Sequence, residues 1–343
     1  MRQRVISGIV IAIVCIGLGV LGGPVLGIVL MVCSLIGYFE LARALQVHDS
    51  GEEVDRKSGI ASRKENQAEN SRLGSSRSLT LEDLINDHSF RFNALEVIGW
   101  IGVVGYYIAL IAMSVTSGAA SAATLKNALF GTSDGTIENA FLQSANMATL
   151  TSIFAVFFLM MGIYVLTFPK YTARQVISAF FSYLYCPVMI SFVFRAVFLP
   201  YGRFVYALIF LSSWICDTCA FATGMMFGKH KLAPVLSPKK SIEGAIGGVA
   251  GSALTCLLAA FLLGYLHPGE HLGTAFVIIG ICGSVISQIG DLAASGIKRN
   301  FGIKDYGKII PGHGGIMDRF DSVIFTAPMI YGLSVLFLVI LRV

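Results

Sequence analysis

Charge is what this sequence has least of. Of its 343 residues only 25 are Lys or Arg and 20 are Asp or Glu, 13% together, about half the share that lets a soluble domain coat itself with polar surface. A water-soluble globule is therefore excluded, and so is a nucleic-acid-binding module, whose basic charge would sit on an otherwise soluble face. Disorder is excluded by the 55% hydrophobic content, and the mean hydropathy of +0.75 points to an integral membrane protein. Paired cysteines are lacking too. Seven Cys, an odd number, fall at 15, 33, 186, 216, 219, 256 and 282, each inside an apolar run, where a thiol behaves as a small hydrophobe. No disulfide framework is expected. Cys216 and Cys219 form a C-x-x-C without a second pair or a nearby His, a weak basis for a metal or redox site.

What the sequence does have is long apolar runs. About 20 apolar residues cross the hydrocarbon core as a helix, and nine runs qualify, near 5–22, 24–45, 95–115, 147–168, 175–199, 204–227, 243–266, 272–296 and 319–341. They lack the alternation of outer-membrane strands, so the expected class is all-α and polytopic. The first run follows Arg2 and Arg4 like a signal peptide, but it is longer than a usual signal core and a second span follows at once; it is read as retained. With the amino terminus in the cytoplasm, 21 of the 25 basic residues lie on the cytoplasmic side and 4 on the other, so the positive-inside rule predicts amino terminus in and carboxyl terminus out. Four parts follow: two helices over 1–46, a polar insert over 47–94, a helix and external loop over 95–146, and a transmembrane domain over 147–343. The insert, with "SRKENQAENSRLGSSRS", has no hydrophobic period and is expected to be a flexible cytoplasmic linker. Within it, "LTLEDLIND" offers Thr80 and Asp83 as caps of a short surface helix, or a solvated turn.

Acidic groups inside spans carry the chemistry, because a carboxylate at mid-bilayer costs about 2.5–3.5 kcal/mol and needs a partner, a wet cavity or a function. Glu40 ends the second span and is expected to pair with Arg43 one turn on. Asp217 lies ten residues from the end of its span, roughly 15 Å, too deep to reach the interface. In the eighth span Ser284, Ser287 or Gln288, Asp291 and Ser295 recur at helical spacing and form one polar stripe. After it, "SGIKRNFGIKDYGKIIPGHGGIMDRFDS" crowds cations, carboxylates, a His and glycines into one loop. A basic juxtamembrane loop attracted to anionic lipid would explain the charge, but not the glycines or the acids. Gly312, Gly314 and Gly315 around His313 permit an anion-binding nest, and the next helix would present its positive end at Asp318. Asp291 and Asp318 from two helices, beside Lys and Arg, suit a divalent ion shared with substrate phosphates. A structural salt-bridge network is the other reading. The loop "FGKHKLAPVLSPKKSIEG", with Lys229, Lys231, Lys239 and Lys240 stiffened by Pro234 and Pro238, faces the same side and ends in a Gly-rich helix start.

The stretch S-x-I-K-R-x4-K-D-x-G-x2-I-P-x-H-G-G-I-x-D-R-F-D, residues 295–321, resembles the signature of the CDP-diacylglycerol synthases, the phosphatidate cytidylyltransferases. "SPKKSIEG" and "WICDTCAFATGMMFGKHKL" are similar to that family's other two blocks, with Phe221 where Tyr is usual and Ser241 where Thr is. The likeness covers about 147–341 closely and the first spans loosely; the insert over 47–94 is atypical. It implies transfer of a cytidylyl group from CTP to phosphatidic acid, giving CDP-diacylglycerol and pyrophosphate, with Mg2+ and a monovalent cation such as K+ beside it. It also implies a multi-pass protein of a bacterial inner membrane, with membrane lipids around it and a homodimer as one arrangement. Asp291 and Asp318 carry over as metal ligands, and Asp217 supports a second metal or orients a lysine. Lys298, Arg299, Lys304, His313 and Arg319 would neutralise CTP and leaving pyrophosphate; Ser237, Lys239 and Lys240, with Gly314 and Gly315, would bind phosphate. Two rivals remain at this point. A transporter would show inverted repeats with broken spans in both halves, whereas the chemistry here lies in the second half. A CTP-dependent polyprenol or phytol kinase would release CDP rather than pyrophosphate.

Overall fold

In lipid, a long apolar run satisfies its backbone only as a helix or in a closed barrel, and the runs here fold as helices. The computed structural model describes residues 2–47, 93–116, 135–266, 272–307, 309 and 314–340. Helices α1 (Arg2–Leu21), α2 (Gly23–Ala44), α3 (Ala94–Thr116) and α4 (Gly135–Leu166) form the first half. Helix α5 (Ala173–Tyr183) runs through a π turn at Leu184–Val188 into α6 (Met189–Ala196), and the two make one span. Then come α7 (Gly202–Phe227), the strands β1 (Lys231–Ala233) and β2 (Ser237–Ser241), α8 (Ile242–Leu266), α9 (Gly273–Asn300) and α10 (Met317–Ser334), which ends in a second π turn, Val335–Ile340. Among the described residues, eight helices after α1 are long and apolar enough to cross a membrane. Their outward faces carry large apolar side chains such as Ile101, Phe158 and Leu258, the surface that lipid rather than water covers. All seven thiols are free.

The spans fall within a few residues of the sequence expectation, with one correction. The external loop expected over 117–145 gives way to helix from Gly135. Polar residues there suggest a loop by composition, yet Phe141, Leu142, Ala145 and Ala148 recur at helical spacing and are buried, and Asn146 and Thr149 meet the guanidinium of Arg195. The expected linker and surface helix over 48–92 lie outside the described residues. Its flanks are tied together: the amides of Asn93 and Gln175 both donate to the Val47 carbonyl at 3.0 Å.

Two features of the second half position the site. Pro187 removes a backbone donor inside its span, where a π turn absorbs the defect, and its carbonyl accepts the Tyr107 hydroxyl at 3.2 Å. Gly290 lets α9 and α10 cross closely. An added Cβ there would stand 3.0 Å from the Asp321 carbonyl and 2.9 Å from the Phe325 Cβ. The crossing brings the residue after Gly290, Asp291, to the level of Asp321.

Candidate active site

Four segments meet at one end of the bundle: the last turns of α7 and α9, the start of α10, and the hairpin β1–β2. Asp217 on α7 is exposed and Asp291 and Asp321 are partly so, yet they crowd one another. The charge of Asp291 is felt at both of the others, that of Asp217 at Asp321, and the Ser322 side chain hydrogen-bonds Asp217. Groups that are accessible and crowded at once line a concave wall. Tyr185, within the π turn, leans on this wall: its ring meets that of Phe325, its phenol feels Asp321 and Asp291, and its buried hydroxyl has no partner among the described residues.

The hairpin supplies the nearest cation. Lys231 pairs antiparallel with Ser241 and Ala233 with Ser237, with a register shift between the two pairs, as a bulge produces. Lys240 turns inward and pairs with Asp291, while Lys239 is exposed. Glu243 closes the hairpin by accepting the N–H groups of Lys229 (3.1 Å) and His230 (3.2 Å) and bonding the His230 ring at 2.6 Å. The Ser241 hydroxyl accepts the Gly244 N–H at 3.1 Å and caps α8. The Gly-rich helix start is thus closed by the chain's own side chains. On α9, Gln288 reaches the Ala245 carbonyl at 3.1 Å and the Cys216 sulfur at 3.4 Å, so the polar stripe braces α7 and α8 before it presents Asp291.

Asp318 is held by its own set of donors. Its carboxylate is 3% exposed; Oδ1 accepts Lys298 at 2.9 Å, and Oδ2 accepts the N–H groups of Tyr306 (2.8 Å) and Gly315 (3.1 Å). Lys298 also lies over the Tyr306 ring at 5.3 Å, and the Tyr306 hydroxyl returns to the Ala294 carbonyl at 3.0 Å. Burial and the neighbouring acids push the Tyr306 phenol well above its ordinary range, so it stays a neutral donor. Asp291 precedes Lys298 by two helical turns, roughly 10 Å, and its acidic neighbours are Asp217 and Asp321. Among the described residues of the signature stretch, Lys298, Tyr306 and Gly315 therefore converge on Asp318.

The remaining sites distribute as follows. Arg299, Lys304 and Arg319 are exposed at the rim and make no ion pair among the described residues. Ser237 begins β2. Gly314 takes a positive φ of 83°, as a glycine-built turn requires, but the Gly315 N–H is already given to Asp318. His313 and Gly312 lie outside the described residues. In place of a local pair with Arg43, Glu40 accepts the N–H groups of Ile316 at 3.2 Å and Met317 at 2.9 Å, and the Arg43 guanidinium lies over the Phe39 ring at 4.7 Å. Sequence reasoning missed Asp321 as a wall residue, although its place three residues after Asp318 was a visible signal; Tyr185 gave none.

Among the described residues, no three His, Cys, Asp or Glu side chains are drawn close enough to hold a metal ion unaided. Mg2+ takes one or two carboxylates and completes its shell with water and substrate phosphate, and the donors on this wall are hard oxygens, with no His among them.

An acidic wall rimmed by basic loops, at one end of a membrane-spanning bundle, defines a membrane enzyme that handles polyanions. The model of the cytidylyltransferase family matches residues 97–337. Proteins named phosphatidate cytidylyltransferase are similar: one from Staphylococcus aureus (strain COL) is 38% identical over 182 residues, 53% of this chain and 67% of its own. One from Staphylococcus epidermidis is 47% identical over 121 residues, 35% of this chain and 45% of its own. The chain belongs to the cytidylyltransferase family, that of the CDP-diacylglycerol synthases. It is a CTP-using nucleotidyltransferase.

Proposed function

We propose that the chain transfers the cytidylyl group of CTP to the phosphate of phosphatidic acid, releasing pyrophosphate and leaving CDP-diacylglycerol in the membrane. The observation that carries this is the open acidic wall of Asp217, Asp291 and Asp321, contributed by three helices and bordered by Lys240, Lys298 and the exposed Arg299, Lys304 and Arg319. The names of the relatives support phosphatidate as acceptor. The excess of basic residues on this side supports the cytoplasmic face, where CTP is available.

One phosphatidate oxygen attacks the α-phosphorus in line; the new O–P bond forms as the bond to the β-phosphate oxygen breaks, and pyrophosphate leaves. A phosphomonoester is largely ionised at neutral pH, its second pKa being about 6, so the attacking oxygen needs no general base. Positioning and charge neutralisation supply the catalysis. Asp291 and Asp321 would hold Mg2+, with Asp217 beside them for a second cation such as K+. Asp318 already accepts three donors, one of them on Oδ1, which leaves an Oδ1 lone pair with which it would join the ligands. When bound, the ion supplies Lewis-acid neutralisation of the phosphates. Lys240 is placed to grip the transferred phosphate, and the rim cations receive the leaving pyrophosphate.

The test uses purified protein in detergent with phosphatidic acid, Mg2+ and each of the four nucleoside triphosphates. Labelled CTP should give CDP-lipid and pyrophosphate, chelation should stop turnover, and added Mg2+ should restore it. Release of CDP with a phosphorylated lipid would instead identify a kinase and sink the reading.

A further inference from the structure

We propose that Glu40, on α2 and outside the residues that match the family, is the positioning residue that holds the signature loop in its working shape. Its carboxylate is buried, with 4% of the residue exposed, and both oxygens are spent on consecutive N–H groups at the start of α10, 276 and 277 residues away. That helix has no side-chain cap of its own, and its first donors would otherwise be orphaned. A carboxylate suits the partial positive charge there. Gly315, Ile316 and Met317 thus give three successive N–H groups to two protein carboxylates, Asp318 and Glu40.

Two glycines of the signature make room for Glu40. An added Cβ at Gly307 or at Gly315 would run into the Glu40 carboxylate. The loop therefore closes on Glu40 from both ends, and the same loop fixes Asp318, hence Lys298, and aims Arg319 from the next position. Burying Glu40 beside a like charge, Asp318, is costly unless hydrogen bonds offset it. The arrangement gives α2 a direct hold on the chemistry. Glu40 itself is too enclosed to touch substrate.

The proposal rests on the activity stated above, and its test keeps the two separable. In detergent-solubilised full-length protein that remains monodisperse, Glu40→Ala and the isosteric Glu40→Gln should lower kcat about 100-fold, the loss that an ångström-scale misplacement brings, and shift KM for CTP less than about threefold. Hydrogen exchange in a peptide covering 315–317 should speed at least about tenfold. Gly307→Ala should lower kcat about tenfold in the native background and add nothing to Glu40→Ala, since the group it collides with is then gone. A kcat within twofold of native in the Gln variant, or independent effects of the 307 and 40 changes, would overturn the clamp. If Glu40→Ala fails to fold, Glu40→Gln and Gly307→Ala decide. A native protein inactive on phosphatidate would defeat the activity, while the exchange rates would still judge the clamp.

Discussion

Arg195 and the acidic wall hold charge within this bundle in opposite ways. Arg195 on α6 is 1% exposed and completely enclosed. Its guanidinium meets Asn146, Thr149 and the Tyr331 hydroxyl (3.1 Å), and lies over the rings of Phe192 and Tyr331 at 4.6 and 4.7 Å. No acid pairs with it among the described residues; neutral oxygens and aromatic faces do the work. Asp217, Asp291 and Asp321 are left accessible and crowded against each other, with Lys240 beside Asp291 and Asp217 and the charge of Lys298 felt at Asp321. A charge sealed by hydrogen bonds holds helices together. Charges left facing one another with room between them require something else to come in.

The contrast can be broken by substitution. Asp291→Asn and Asp321→Asn should each reduce CDP-lipid formation at least about 1,000-fold, roughly 4 kcal/mol of transition-state stabilisation, with thermal unfolding in detergent unchanged within a few degrees. Near-native turnover in either variant would remove that residue from the wall's function. Next comes the hairpin: Lys240→Met should cost about 100-fold in kcat/KM while Lys239→Met stays within about fivefold, because Lys240 pairs with Asp291 and Lys239 is exposed. Equal losses would mean that both lysines reach the substrates. Arg195→Met should do the reverse of the acid variants. It should lower stability by about 2 kcal/mol, read by thermal or denaturant unfolding, with the folded fraction keeping its kcat, since the charged hydrogen bonds removed are structural. Smallest is Ser241→Ala, which loses one helix cap and about 1 kcal/mol; a much larger loss of activity than of stability would place that hydroxyl on substrate.

Much of this was readable in the chain. The spans followed from apolar length, and the polar stripe from Ser284 to Asp291 followed from helical period. The start of α4 escaped because Gln143, Ser144 and Asn146 look like loop residues until Arg195 is seen to need Asn146. The β1–β2 hairpin escaped because two short strands with Pro238 inside carry almost no periodic signal. Its consequence, Lys240 in and Lys239 out, escaped with it. The glycines suggested an anion nest, but not that Asp318 and Glu40 already take the N–H groups of Gly315, Ile316 and Met317.

Composition and period alone settled that this chain lives in a membrane as a helical bundle, and the spacing of the residues from Ser295 to Asp321 settled its family, because burial in lipid and a fixed motif are both local properties of the sequence. Which acid faces which was decided only by the tertiary structure. A helical period says which residues share a face and nothing about what lies opposite; that Asp291 faces Asp217 and Asp321, and that Glu40 reaches across more than 270 residues to Ile316 and Met317, depends on how closely α9 and α10 cross and on where α2 docks.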